Sequence, residues 1–301
     1  MSSPFMTVPE VAEHLRIRPR KVYDLVARGE IPHHRVGGKL LFDAAEVQRW
    51  IERAPTAEAA ASTPLPAVIA GSSDLLLDWA VRSSGAALAL MSRGSGDGLR
   101  RMLAREACAA ALHLPAPDLS QFNVEPVAAA GSARDWVLVQ WAVRSQGLVV
   151  AAGNPLGLRS IDDLGAHRPT RLRIGRRQAG AGSRELFDLL VSRSRACAAL
   201  GPSDFVDGLG SEDEIAVAIG EGRIDCGLAI EAVARRFGLG FVPLVRERVD
   251  LLLDRAAFFE PEFQRLMEFC RAPEFGLRAE ALGGYDVTGF GRVVWNSPRG
   301  R

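Results

Sequence analysis

No sign of charge prevails in this chain: 37 lysines and arginines stand against 36 aspartates and glutamates among 301 residues, a formal net charge of +1. The whole molecule therefore exerts little long-range pull on a polyanion, and any nucleic-acid contact must come from a local basic surface. Cysteine is scarce and scattered. Cys108, Cys197, Cys226 and Cys270 include no close pair of the kind that clips zinc or makes a redox dithiol, so they read as reduced core residues. Long apolar runs are missing as well. Nothing reaches the roughly 18 residues of a membrane-spanning helix, and the N-terminus lacks the basic and apolar regions of a secretory signal, so a cytoplasmic location is expected. Catalytic signatures are equally thin. Arg93-Gly94-Ser95-Gly96-Asp97-Gly98 misses the spacing of a nucleophile elbow, and no P-loop or zinc-protease helix is found. His113 and His167 stand alone, and Asp204, Asp207, Glu212, Asp213 and Glu214 read as acidic surface rather than a paired acid and base. No enzyme, cofactor or metal site is expected.

What is present is an ordinary globular balance, 48% hydrophobic and 24% charged, in a chain long enough for two or three domains. The first module covers residues 1 to 53. Thr7 is placed to cap a helix over 8 to 15, with Pro9 in its first turn and Glu10 three residues after the cap. A second helix is expected from 18 to 27, burying Val22, Leu25 and Val26, with Gly29 as its stop. Two short helices joined by a tight turn make a helix-turn-helix, whose second helix carries Arg18, Arg20, Lys21 and Arg28 on its polar side. Extended runs on either side of Gly37-Gly38 then predict a wing, with Arg35 and Lys39 facing phosphate. A closing helix over 43 to 52 offers Val47, Trp50 and Ile51 to the small core. Tyr23 is expected in that core or against a nucleic-acid backbone, and His33 and His34, adjacent on a strand, point to opposite faces and hold no metal.

Residues 54 to 66, rich in Ala, Pro, Ser and Thr without apolar periodicity, read as a linker. Alternating strands and helices follow. Strands are expected at 67 to 70 and 86 to 91 and helices at 75 to 82 and 99 to 112. Each strand precedes a turn of small residues, one holding Ser72 and Ser73, the other Ser95. Strands follow at 136 to 143 and 146 to 152, a helix near 160 to 164, and then the stretch Leu172-Arg173-Ile174-Gly175-Arg176-Arg177-Gln178-Ala179-Gly180-Ala181-Gly182-Ser183-Arg184. It reads as a strand, a glycine-rich loop and a helix start, with Ser183 as cap of a helix over 185 to 200. Backbone amides and the helix dipole there suit an anion. Further helices are expected at 212 to 220, 231 to 237 and 261 to 270, and strands at 225 to 230, 241 to 244 and 250 to 253.

Thr7-Val8-Pro9-Glu10-Val11-Ala12-Glu13-His14-Leu15, Lys21-Val22-Tyr23, Gly29-Glu30-Ile31-Pro32 and Arg35-Val36-Gly37-Gly38 closely resemble the excisionase-like, MerR-related winged helix-turn-helix modules. Residues 67 to 291 resemble the type II periplasmic-binding-protein domain fused to such modules in bacterial one-component regulators, a group related to molybdate and tungstate binders. That likeness rests on Ser145-Gln146-Gly147-Leu148-Val149-Val150, Gly153-Asn154-Pro155-Leu156-Gly157, Arg177 to Arg184, Gly222-Arg223-Ile224-Asp225-Cys226-Gly227-Leu228 with Glu231, and Leu282-Gly283-Gly284-Tyr285-Asp286. The resemblance implies an α/β fold: a small winged module plus a two-lobed clamshell over 67 to 301. Its first lobe would span about 67 to 150 and 245 to 301, its second about 151 to 244. It also implies a regulator that binds double-stranded DNA as a homodimer or larger assembly and senses a small oxyanion, molybdate or tungstate foremost. The expected anion donors are Ser72, Ser73, Ser95, Gly182 and Ser183, with Arg184 as charge partner. A small organic anion, or an enzyme or carrier with a DNA-binding appendage, is the alternative.

Overall fold

The computed structural model describes residues 5–27, 29–53, 64–131, 134–166 and 171–298. Arg28, His167 and most of the expected linker lie outside the described residues. The chain divides into two units, Met1–Pro64 and Leu65–Arg301.

In the first unit, the Thr7 amide and hydroxyl both donate to Glu10 Oε2 at 2.7 Å, fixing the start of helix α1 (Val8–His14). Arg16 takes the left-handed conformation that turns the chain into α2 (Pro19–Ala27), and Gly29, at φ +68°, stops that helix. Strands β2 (His34–Val36) and β3 (Lys39–Asp43) pair antiparallel around Gly37 and Gly38, whose φ values of +55° and +80° are what a two-residue hairpin turn requires. A short strand β1 (Phe5–Met6), unread in the sequence because two residues carry no period, pairs with β3 as well. Asp43 then accepts the amides of Ala45 and Glu46 and starts α3 (Ala44–Arg53). Val8, Val11, Ala12, Val22, Ile31, Phe42 and Val47 close the core.

The second unit is built on a ten-stranded sheet flanked by helices. Its elements are β4 (Val68–Gly71), α4 (Leu75–Ser83), β5 (Ala89–Ser92), α5 (Ser95–Leu103), β6 (Ala109–Leu112), α6 (Val124–Gly131), β7 (Trp136–Val150), α7 (Asp162–Ala166), β8 (Ile174–Arg177), α8 (Gly182–Arg193), β9 (Phe205–Leu209), α9 (Glu212–Gly220), β10 (Cys226–Ile230), α10 (Glu231–Arg236), β11 (Gly240–Asp254), α11 (Pro261–Phe269), α12 (Pro273–Leu282), β12 (Tyr285–Asp286) and β13 (Val293–Asn296). The order is β5-β4-β6-β11-β7-β10-β8-β9, with β12 and β13 also on β7. One parallel set, β5-β4-β6, makes the first lobe, and another, β10-β8-β9, makes the second. The antiparallel pair β7 and β11 runs through both.

Four expectations fail here. The helix expected over 99 to 112 ends at Leu103, and the alanine-rich run after it is strand β6, all four residues buried between β4 and β11. Burial in a sheet overrides the helix propensity of alanine. The paired short strands of 136 to 152 and of 241 to 253 are two continuous strands of 15 residues each. Consequently Gln146–Val150 pair with β10 and belong to the second lobe, not the first. Finally, Ser183 is the second residue of α8 rather than its cap, a place held by Ala181, and the helix ends at Arg193, short of 200.

Bulges interrupt the β7/β11 ladder between Pro243 and Val245 and between Val249 and Asp250. Between them lie Arg144 and Gln146 on β7 and Glu247 on β11, all buried. A bulge turns side chains off the regular alternation, so these two frame a buried polar cluster at the crossing between the lobes.

Candidate functional site

On the first unit, Arg18, Arg20 and Lys21 are exposed at and after the start of α2, and Arg35 and Lys39 are exposed on the hairpin. Tyr23, 55% exposed on α2, is not a core residue.

The second unit brings the small-residue turns together. β4 ends at Gly71, at φ +104°, where a Cβ would meet the Ala111 carbonyl oxygen at 2.3 Å, so only glycine fits. Ser72 and Ser95, 6% and 0% exposed, share a hydrogen bond of 2.7 Å between hydroxyls. Ser95 Oγ also accepts the His113 amide at 3.1 Å. Ser73 is exposed at the same turn. From the second lobe, Gly180 approaches Gly94 closely, since a Cβ on Gly94 would lie 2.7 Å from the Gly180 carbonyl oxygen. A Cβ on Gly182 would lie 2.8 Å from the His113 ring. Ser183 follows, 2% exposed, with no protein partner for its hydroxyl among the described residues.

Two helices begin at this meeting point, and neither has a side-chain cap: α5 after Gly94 and α8 after Ala181. By contrast α4 is capped by Asp74 and α9 by Ser211. The first amides of a helix have no internal acceptor, so Ser95, Gly96, Gly182 and Ser183 present backbone donors around one small volume.

Beneath it lies the polar cluster that sequence reading missed. Arg144, 1% exposed, donates through Nη1 to Asp74 Oδ2 at 2.9 Å and through Nε to Glu247 Oε1. His113 Nδ1 lies 3.1 Å from Glu247 Oε2, and Gln146 Nε2 donates to Glu247 Oε1 and Glu212 Oε1, each at 3.1 Å. Tyr285 donates to Asp74 Oδ2 at 2.8 Å and Trp141 to Asp74 Oδ1 at 3.3 Å. Burial pushes the Glu247 carboxyl up, but the charges of Arg144 and His113 and their hydrogen bonds prevail and hold it at about 2. Burial beside the Asp74 carboxylate pushes the Tyr285 phenol well above its usual range. Arg144 Nη2 is buried without a hydrogen-bond partner among the described residues. A signal existed: Arg144 and Gln146 are polar at alternate positions of a largely apolar strand and so share one face, whereas Gln140 lies across the bulge at Trp141.

The arginines of the glycine-rich stretch turn elsewhere. Arg184 donates to Asp188 at 2.6 Å, Asp207 at 2.9 Å and the Arg177 carbonyl at 3.0 Å. Arg176 pairs with Asp207 and lies over the Phe205 ring, 3.9 Å from its centroid. Arg177 donates to the carbonyls of Leu209 and Gly210. The expected charge partner, Arg184, is thus already matched by two carboxylates. The cysteines are free and buried, and among the described residues no cluster of metal ligands occurs.

The fold and this meeting of loops define a two-lobed ligand-binding domain fused to a helix-turn-helix module. The chain belongs to the PBP superfamily, whose domain model matches residues 78–271; a helix-turn-helix domain model matches residues 5–55. Along nearly its full length it is similar to the uncharacterized protein YvgK of Bacillus subtilis (strain 168), 24% identical over 308 residues that cover 96% of this chain and 97% of that one. Among solved structures it resembles a phosphate ABC transporter substrate-binding protein of Clostridium perfringens with bound phosphate, at 12% identity, covering 71% of this chain and 96% of that one with a TM-score of 0.53. It also resembles glycosylated PEB3, a protein of Campylobacter jejuni, at 12% identity, covering 73% and 98% with a TM-score of 0.50. At such identities the likeness is one of fold. Among the described residues no helix is long and apolar enough to cross a membrane.

Proposed function

We propose that the chain is a one-component transcriptional regulator, in which residues 1 to 53 bind duplex DNA and residues 67 to 301 sense a small oxyanion that changes DNA affinity. The observation that carries the ligand reading is the pair of helices, α5 and α8, that start without side-chain caps where Gly94 meets Gly180. An anion held there accepts amides from both lobes, so its binding favours the closed arrangement over the open one. Ser72 and Ser95 share one hydrogen bond between their hydroxyls, which leaves the pair one further hydroxyl proton for the ligand, beside the hydroxyls of Ser73 and Ser183. Asp74 and Glu247 are engaged with Arg144 and do not offer an acceptor to a protonated ligand. A shell of amides and hydroxyls suits a small tetrahedral oxyanion, molybdate or tungstate foremost, with sulfate as the competitor of the same shape.

Calorimetry with molybdate, tungstate, sulfate and phosphate on the full chain tests the reading. Heat from at least one dianion, weakened by Ser183→Ala, is expected. No heat from any of the four overturns the oxyanion assignment, and tight binding indifferent to Ser183→Ala moves the site elsewhere.

A further inference from the structure

Away from the cleft, the second unit holds a cavity of about 360 Å³ between β7, the segment after β11, helix α11 and the C-terminal segment around β13. This volume falls in the range of small-molecule sites. Its walls are apolar, formed by Val139, Phe258, Met267 and Phe290, and two guanidinium groups, of Arg255 and Arg271, stand among them. The charges are unevenly matched. Arg255 pairs with Asp135 at 2.8 Å, yet its buried Nε makes no hydrogen bond, because the carboxylate lies off the N–H direction. Among the described residues no carboxylate pairs with Arg271. An apolar chamber with the exposed Arg271 among its lining residues suits a ligand that is apolar along its body and negative at one end.

The same surface exposes Phe259 by 72% and Val293 by 51%, which raises a second copy of the chain as a rival occupant. A two-fold contact through this face would bring the guanidinium groups of one copy towards those of the other, with no carboxylate among the cavity's lining residues to offset them. That repulsion favours the small anion. We propose that this cavity is a second ligand site, separate from the cleft, which takes a small amphipathic monoanion: an aromatic ring or short acyl chain ending in a carboxylate or sulfonate. It rests on none of the residues assigned to the oxyanion, so either reading can fail without the other.

The probe for the test is anilinonaphthalene sulfonate, followed by its fluorescence on the full chain, beside the uncharged phenylnaphthylamine. The expected result is one sulfonate bound per chain, weakened about tenfold or more by Arg271→Gln and blocked by Val293→Trp, with the uncharged probe binding far more weakly. Both substitutions lie on exposed side chains, and unchanged melting temperatures certify the fold. On the wild-type chain, octanoate should displace the probe and octanol should not, a readout that needs no variant. Equal binding of the charged and uncharged probes, or sulfonate binding indifferent to both substitutions, overturns the proposal. So does a dimer in sedimentation that Phe259→Asp splits, since the face is then an interface between copies.

Discussion

Ser95 and Ser183 look alike in the sequence, each a serine in a glycine-rich turn, but the structure gives them different work. Ser95 is fully buried and accepts the His113 amide, so Ser95→Ala leaves a buried donor unmet and should lower stability by about 1–3 kcal/mol, read as a denaturant midpoint. Ser183→Ala should leave the midpoint unchanged and weaken the oxyanion alone. The sequence places the first lobe's serines correctly after strands, where open α/β sheets bind their ligands. Arg144, Asp74 and Glu247 were not legible, since residues 70 or more positions apart in sequence meet only once β7, β11 and the start of α4 are packed. Removing the cation from that cluster, as in Arg144→Met, takes from two buried carboxylates the guanidinium they share and should cost about 3–5 kcal/mol. The cluster also sets an acid limit. Glu247 is held at about 2 against an ordinary 4.5, so its contribution to stability is complete above 4.5 and is lost as pH falls towards 2. An unfolding series between pH 5 and pH 2 should show the wild type losing stability across that interval, and Glu247→Gln, already weaker at neutral pH, losing less.

At the scale of elements, periodicity and punctuation served well where a segment is bounded by its own caps. The helix at 212 to 220 matches α9, whose cap Ser211 accepts the Glu214 amide. The same reading failed for β6, whose four apolar residues fit a helix or a buried strand equally until neighbours on both sides are known. Helix α12 went unread because glycine at 276 and a short apolar face weaken its period. On the proposed reading, ligand capture turns on the contact between the loop before α8 and the first lobe. Gly182→Val would drive a side chain into the His113 ring, and neither the ring, tied to Glu247, nor the helix start has room to yield. The expected outcome is loss of oxyanion heat in calorimetry with the melting temperature close to wild type, because the collision lies between lobes rather than within a core.

For the whole molecule the prediction concerns DNA. Arg18, Arg20, Lys21, Arg35 and Lys39 are all exposed on one small unit, in a chain whose net charge is +1, so attraction to DNA is local and should fall steeply with salt. Arg20→Ala with Lys21→Ala should weaken operator binding in anisotropy titrations; binding equal to wild type would remove α2 from the interface. A unit this small reads a short half-site, and sedimentation is expected to show a homodimer, alone or on DNA. The two lobes are joined through β7 and β11. These strands cross from one lobe to the other without a loop, and their ladder is interrupted only at its two bulges. Opening therefore has no free joint to swing on. It has to wind and unwind a pair of strands, as a torsion bar does, with its soft points where Leu244 and Trp141 drop out of register. If an anion draws the lobes together as proposed, stiffness in that bar sets how far apart they rest beforehand, and a substitution at either bulge is expected to change the ligand concentration at which the molecule responds.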